Sequence, residues 1–251
     1  MNQTQALLAS IVLLFAMLWL PLGQYEFLLD NWMKIGTYAI PFLLIGAFSL
    51  PRNDQQPFKS YRFVSILMLI AYIIHQYEEH WIDLFGNYYA FYTFNNQFIL
   101  GALGEAESTE WPLTRESIFI INSSLVWLVA CISILRSPKH MYPYFCMAAI
   151  IVVNGLVHIL AGGVNLQYNP GLLTSIILFV PLYIWIVRKS DPSLSNKKFL
   201  LIAGLVWAFL AHVIMVGGLL AANWFHFIPE HMYFIMLVAW SVLPAFLFRN
   251  K

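Results

Sequence analysis

Apolar residues in this chain come in long unbroken runs rather than in an alternating pattern. Eight runs stand out, at residues 5–22, 34–50, 61–85, 116–135, 141–162, 171–187, 197–222 and 230–248, the first two being the shortest. A period of two would point to a closed barrel. Continuous runs of about 20 point instead to helices that cross about 30 Å of hydrocarbon with every backbone group satisfied. The pattern predicts an all-α, polytopic helical membrane protein with about eight transmembrane helices. Six, with two N-terminal segments lying in the interface, is the alternative. The runs divide the chain into an N-terminal hairpin (1–60), a four-helix core (61–190) and a C-terminal hairpin (191–251). No Lys or Arg precedes the first run, so it reads as a retained helix rather than a cleaved leader.

Composition supports a bilayer as solvent. The chain is 61% hydrophobic and 10% charged, whereas soluble domains carry about 25% charged residues. Net charge is +1, which gives nucleic acid no electrostatic footprint. Basic residues fall at alternate ends of the runs: Arg52, Lys59 and Arg62, then Arg136 and Lys139, then Arg188, Lys189, Lys197 and Lys198, then Arg249 and Lys251. Of all 13 basic residues only Lys34 and Arg115 fall on the other side. The positive-inside rule then places the N-terminus outside and the C-terminus in the cytoplasm of a cell (inner) membrane. Cys131 and Cys146 fall near cytoplasmic helix ends and read as reduced, buried thiols.

Ionisable residues inside a membrane are costly and mark function. The third run contains His75, Gln76, Glu78, Glu79 and His80. On a helix Glu78 lies about 60° to one side of His75 and Glu79 about 40° to the other, so the three face one point; His80, displaced about 140°, faces elsewhere. The fifth run carries Asn154 and His158 one turn apart, the fourth Asn122, and the seventh a single His212. His75 lies about 21 Å along its helix from Tyr61, His158 about 25 Å from Met141, and His212 about 22 Å from Lys197, while Asn122 lies about 9 Å below Glu116. All four reach one level in the outer half of the bilayer. Alone on its helix, His212 reads first as a packing or hydrogen-bonding residue. The 86–115 connection, aromatic at its start and acidic in its middle, reads equally as a lid over the site or as an aromatic belt.

Two imidazoles and a carboxylate are a ligand set for catalytic zinc or non-haem iron, and a second carboxylate can serve as general base. The expected metal ligands are His75, Glu79 and His158, for one divalent ion. Glu78 and Glu79 are the expected catalytic carboxylates. Without a metal, the same residues read as imidazoles hydrogen-bonded to each other and glutamates solvated at the interface.

Three segments in order, His75-Gln-Tyr-Glu78-Glu79, Asn154-Gly-Leu-Val-His158 and Tyr168-Asn169-Pro170-Gly171-Leu-Leu-Thr174, resemble the HXXEE-motif family of membrane proteins. The resemblance covers about residues 61–190. It departs at Gly155, where the family usually has Ala, and at Asn169, where it usually has Ser. It implies an integral membrane protein with metal-dependent chemistry and carries no settled reaction. In the third segment Pro170 suits a first helical turn and Asn169 its N-cap. The helix start could then hold an anionic group, with Tyr168 donating to substrate. Asn122, Asn154, Tyr168, Asn169, Thr174 and His212 are expected to bind substrate or orient ligands.

These readings converge on a membrane-embedded, metal-dependent hydrolase or related enzyme. Its substrate would be lipid-like or small and apolar, entering from the outer leaflet. Two alternatives use the same residues: a metal-free lipid isomerase or cyclase with the glutamates as acid and base, and a transporter or proton/ion-translocating protein. Against transport, the polar residues share one depth and no inverted repeat is present.

Overall fold

The computed structural model describes residues 25–49, 60–105, 111–136, 140–190 and 196–248, and all regular structure in them is helical. Helix α1 is Tyr25–Phe48, α2 is Tyr61–His80 and α3 is Ala90–Leu103. They are followed by α4 (Arg115–Arg136), α5 (Tyr142–Asn165), α6 (Leu172–Lys189), α7 (Lys197–Trp224) and α8 (Glu230–Ala245).

The expected count of eight spans, or six, does not hold. Among the described residues four helices, α4 to α7, are long and apolar enough to cross a membrane. The run at 5–22 lies outside the described residues. The second run belongs to a helix that starts earlier than expected, with Glu26, Asp30 and Lys34 in its first half and Pro41 inside it. Helix α2 ends at His80, and its last two turns are spent on His75, Gln76, Glu78, Glu79 and His80. The last run yields a helix too short to qualify. Run length in sequence counts apolar residues without asking what shields them. Helix α2 is buried around most of its circumference, so protein rather than lipid satisfies its polar end.

Burial separates interior from periphery. In the apolar windows, 72% of α4 is buried but only 22% of α6 and 28% of α7, so α4 is central and the other two turn apolar faces such as Ile176, Ile177, Phe209 and Val213 outward. Close approach of α5 and α7 depends on Gly204, where a Cβ would stand 2.8 Å from the Phe145 carbonyl oxygen. Small residues allow such contacts where apolar burial gives no driving force between helices. Cys131 and Cys146 are both free and buried.

Three helices contain a widened, π-helical segment: Asn122–Leu128 in α4, Ser175–Phe179 in α6 and Leu220–Trp224 in α7. Such segments re-aim side chains and are frequent beside functional sites. Two of these begin at or beside residues singled out from the sequence, Asn122 and Thr174.

Candidate metal centre

Helix α2 delivers its polar turn into the bundle. Ser60 caps its start by accepting from the Phe63 N–H, and its core-facing positions Ile66, Met68, Leu69, Ile70 and Ile73 are buried, so packing sets its rotation. His75 and Glu79, one turn apart, then face His158 on α5. One ligand atom from each of His75, Glu79 and His158 lies within 4.8 Å of the others, and all three residues are buried. His158 Nε2 is 2.9 Å from Glu79 Oε1, and His75 Nε2 is 3.3 Å from Glu79 Oε2. Donors around one tetrahedral ion, bonded at roughly 2.0–2.2 Å, stand about 3.4 Å apart. The donor set therefore fits a small divalent cation.

The outer hydrogen bonds fix both imidazoles. Thr174 Oγ1 donates to Glu78 Oε2 at 2.5 Å, so at 2.7 Å it accepts from His75 Nδ1–H. Asn169 donates its Nδ2–H to the His158 carbonyl at 3.0 Å, which turns its Oδ1 to accept from His158 Nδ1–H at 2.8 Å. Asn154 Nδ2 lies 2.9 Å from His75 Nε2 and donates to it. With both protons assigned to Nδ1, both Nε2 atoms present lone pairs toward Glu79. His158 Nε2 and Glu79 cannot meet at 2.9 Å without a cation or an added proton between them, and a cation reaching His75 Nε2 would displace the Asn154 amide.

Glu78 points the other way. Its Oε1 accepts from Tyr168 OH and Leu173 N–H, both at 3.0 Å, and its Oε2 from Thr174 N–H at 2.8 Å and the Thr174 hydroxyl. The N-terminus of α6 does attract an anion, as its free N–H groups favour, but the anion is the chain's own carboxylate. The expected pair of catalytic glutamates is thus split. Asn169 is not the helix cap either: α6 starts at Leu172 after Gly171, and the Asn169 side chain is committed to His158. Tyr168, expected to reach substrate, donates to Glu78 and accepts from the Leu84 N–H at 3.0 Å. Burial first, and the adjacent Glu78 carboxylate, push its hydroxyl above the ordinary tyrosine value, so it keeps its proton for that bond. Glu78→Gln keeps the shape of this cap but discards its charge and an acceptor. It is expected to cost about 2–3 kcal/mol, measured by unfolding in detergent; an unchanged midpoint would show that the cap is idle.

His80 was expected to face elsewhere, yet its Nε2 is 3.3 Å from Glu79 Oε2. Glu79 lies between His75 and His80 around the helix, and its arm reaches both. Asn122, on α4, accepts from Gln76 Nε2 at 2.9 Å and places its Nδ2 3.2 Å from His80 Nε2, while Trp127 donates to Gln76 at 2.8 Å. Gln76 and His80 are the residues that sequence reasoning missed. A signal was present: Gln76 and His80 are also one turn apart, on the face next to His75 and Glu79.

On the other side of Glu79 lies a cavity of about 90 Å³. Glu79, Asn154, His212, Asn122 and Tyr72 line it, with Ile150, Leu125 and Met215 among its apolar residues. His212 donates from Nδ1 to the Ala208 carbonyl at 2.8 Å. It lines this cavity and is not in the group that could hold the ion. Helix α3, within the 86–115 connection, lays Phe91, Asn95 and Ile99 along the same cavity, one per turn. Buried Asn96 ties α3 down by donating to the Leu113 carbonyl at 3.0 Å and accepting from its N–H at 2.9 Å.

Residues 66–186 match the family described as protein of unknown function with HXXEE motif. Over this segment the chain is similar to the HXXEE domain. His75, Glu78 and Glu79 spell the motif itself, and His158 and Thr174 fall inside the matched span. The matched segment includes most of α2, all of α3 to α5 and most of α6, while α1, α7 and α8 lie outside it. No curated protein and no solved structure matches the chain.

Proposed function

We propose that this HXXEE-like segment is a membrane-embedded, metal-dependent hydrolytic centre acting on an apolar or amphiphilic substrate. One observation carries this reading: two imidazole lone pairs and a carboxylate converge in a buried site, each imidazole held from behind in the tautomer a metal needs. His75 Nε2, His158 Nε2 and a Glu79 oxygen would hold zinc or iron. A bound ion would supply Lewis-acid polarisation of a carbonyl or phosphoryl oxygen and acidify a water molecule.

The chain's own groups supply the rest. Thr174 and Asn169 orient the two rings, and Glu78 anchors Thr174. Asn154, His212, Asn122 and Tyr72 offer hydrogen-bonding groups on the cavity wall, where a reacting group would be oriented. Glu79 is the one carboxylate at the centre and also the group placed to move a proton; His80 keeps one of its oxygens in a fixed direction. Helix α3 covers part of the cavity with Phe91, Asn95 and Ile99.

An orientation is suggested by the basic residues at the ends of three of the four spans. Arg136, Arg188, Lys189, Lys197 and Lys198 sit at the ends of α4, α6 and α7 away from the centre, and Arg115 at the centre's end. The positive-inside rule then puts the centre toward the outer leaflet. Substrate would enter from that leaflet.

The test is hydrolysis of a panel of long-chain esters and phosphoesters by the purified chain. Activity is expected to vanish with a chelator, to return with zinc or iron(II), and to be absent in Glu79→Gln. Activity that survives both chelation and His158→Ala would replace this reading with the metal-free acid–base one. The supporting groups are open to a gentler test. Asn169→Ala is expected to lower metal affinity roughly 10–100-fold, the usual loss when a ligand's orienting partner is removed, read by competition with a zinc chelator dye.

A further inference from the structure

Lys34 and Arg115, the two basic residues that the charge pattern leaves on the outer side, line a single cleft of about 470 Å³. It opens between the first turns of α1, the start of α4 and the turn before α3, with Asp30, Tyr89 and Tyr92 in its walls. His80 is among the buried residues of its wall, with Trp32 and Ile118. The same His80 touches Glu79 at 3.3 Å and also lines the cavity beside the centre. His80 and Ile118 line both, and His80 joins the polar, charged cleft to the candidate metal centre.

Both cations keep donors for a further partner. Arg115 Nη1 donates to Asp30 at 2.5 Å, and its Nη2 is 3.5 Å from Glu26; a guanidinium has five N–H donors in all. Lys34 Nζ donates to Asn31 at 2.9 Å and stands 5.6 Å from the Trp81 ring and 5.9 Å from the Tyr89 ring. An ammonium has three donors. Asp30 in the wall and Glu26 beside Arg115 offset the two cations in number, so the case for an anion rests on the guanidinium and ammonium donors left over rather than on net charge.

We propose that this cleft binds an anionic group such as a phosphate, and that it receives the polar end of the substrate whose reacting bond is presented to the centre behind His80. The second half rests on the hydrolytic reading above. The first half does not, and it is measured with chelator present, so failure of one is distinguishable from failure of the other. Phosphate chemistry could come from a lipid headgroup or from a free anion, and the two are separated below.

The experiment is titration calorimetry of the full chain in a neutral detergent, with dodecyl phosphate and with inorganic phosphate as probes. Saturable binding of dodecyl phosphate is expected, weakened about tenfold in Lys34→Gln or Arg115→Gln by loss of one hydrogen bond to a charged partner. Asp30→Asn removes the carboxylate that competes for Arg115, so it is expected to tighten binding severalfold, an outcome that misfolding cannot imitate. Inorganic phosphate binding much more weakly than dodecyl phosphate assigns an amphiphile; equal binding assigns a free anion. Either result supports the anion cleft. Equal affinity of dodecyl phosphate for the wild type and all three variants would mean that the probe only enters the micelle, and would overturn it.

Discussion

Purified without chelator and dialysed against trace metal, the chain is expected to carry close to one equivalent of zinc or iron, and His158→Ala less than about a tenth of that. Losing an orienting partner already costs 10–100-fold in affinity, so losing a ligand from a set of three is expected to cost more. At His75 Nε2 a cation would displace the Asn154 amide. Nδ1 of each ring is committed to Thr174 or Asn169, and the Nε2 atoms face Glu79 at 2.9 and 3.3 Å. Elemental analysis by mass spectrometry of wild type, His75→Ala, His158→Ala and the exposed control His226→Ala reads this directly. His226→Ala is expected to match wild type. Equal metal in all four proteins would sink the centre, whatever the chain turns over.

Gly171→Ala is expected to be severely damaging for a single added methyl. Gly171 has φ +95°, where any side chain is strained, at a cost of about 1–2 kcal/mol. The added Cβ would also stand 2.7 Å from His158 Cε1, 2.8 Å from His75 Cε1 and 2.9 Å from Glu79 Cγ. All three neighbours belong to the candidate ligand set, and all are held from behind, so none can retreat without breaking a hydrogen bond. The variant is expected to lose metal and at least about 3 kcal/mol of stability, from strain and overpacking together, read as metal content and as an unfolding midpoint in detergent. Gly163→Ala, with no atom within 4 Å of its Cβ, is the matched control and is expected to change neither. Normal metal content in Gly171→Ala would show that the start of α6 can move away from the centre, contrary to the packing described.

Some of this was legible before any coordinates. A membrane-embedded all-α chain follows from run length and from the scarcity of charge, both properties of composition along a line. The grouping of His75, Glu79 and His158 was legible too, because two lie one turn apart and the third falls at the same depth on another helix. That inference needed only the rise and twist of an α-helix. The resemblance to the HXXEE family, carried on three short motifs, was matched over residues 66–186.

The count of spans was not legible, because hydropathy cannot say whether a polar turn faces lipid or protein. Helix α2 reads as one long apolar run, yet it is an interior helix whose polar end is sheltered by neighbours. The roles of the two glutamates were not legible either. Adjacent on one helix, they point 100° apart, and the sequence could not say that α6 begins where Glu78 arrives. Helical periodicity along the chain determined that these polar residues would be buried together in an apolar protein. Only the tertiary packing decided which carboxylate faces the imidazoles and which caps a helix, because that depends on where the next helix starts and on a glycine that lets it come close.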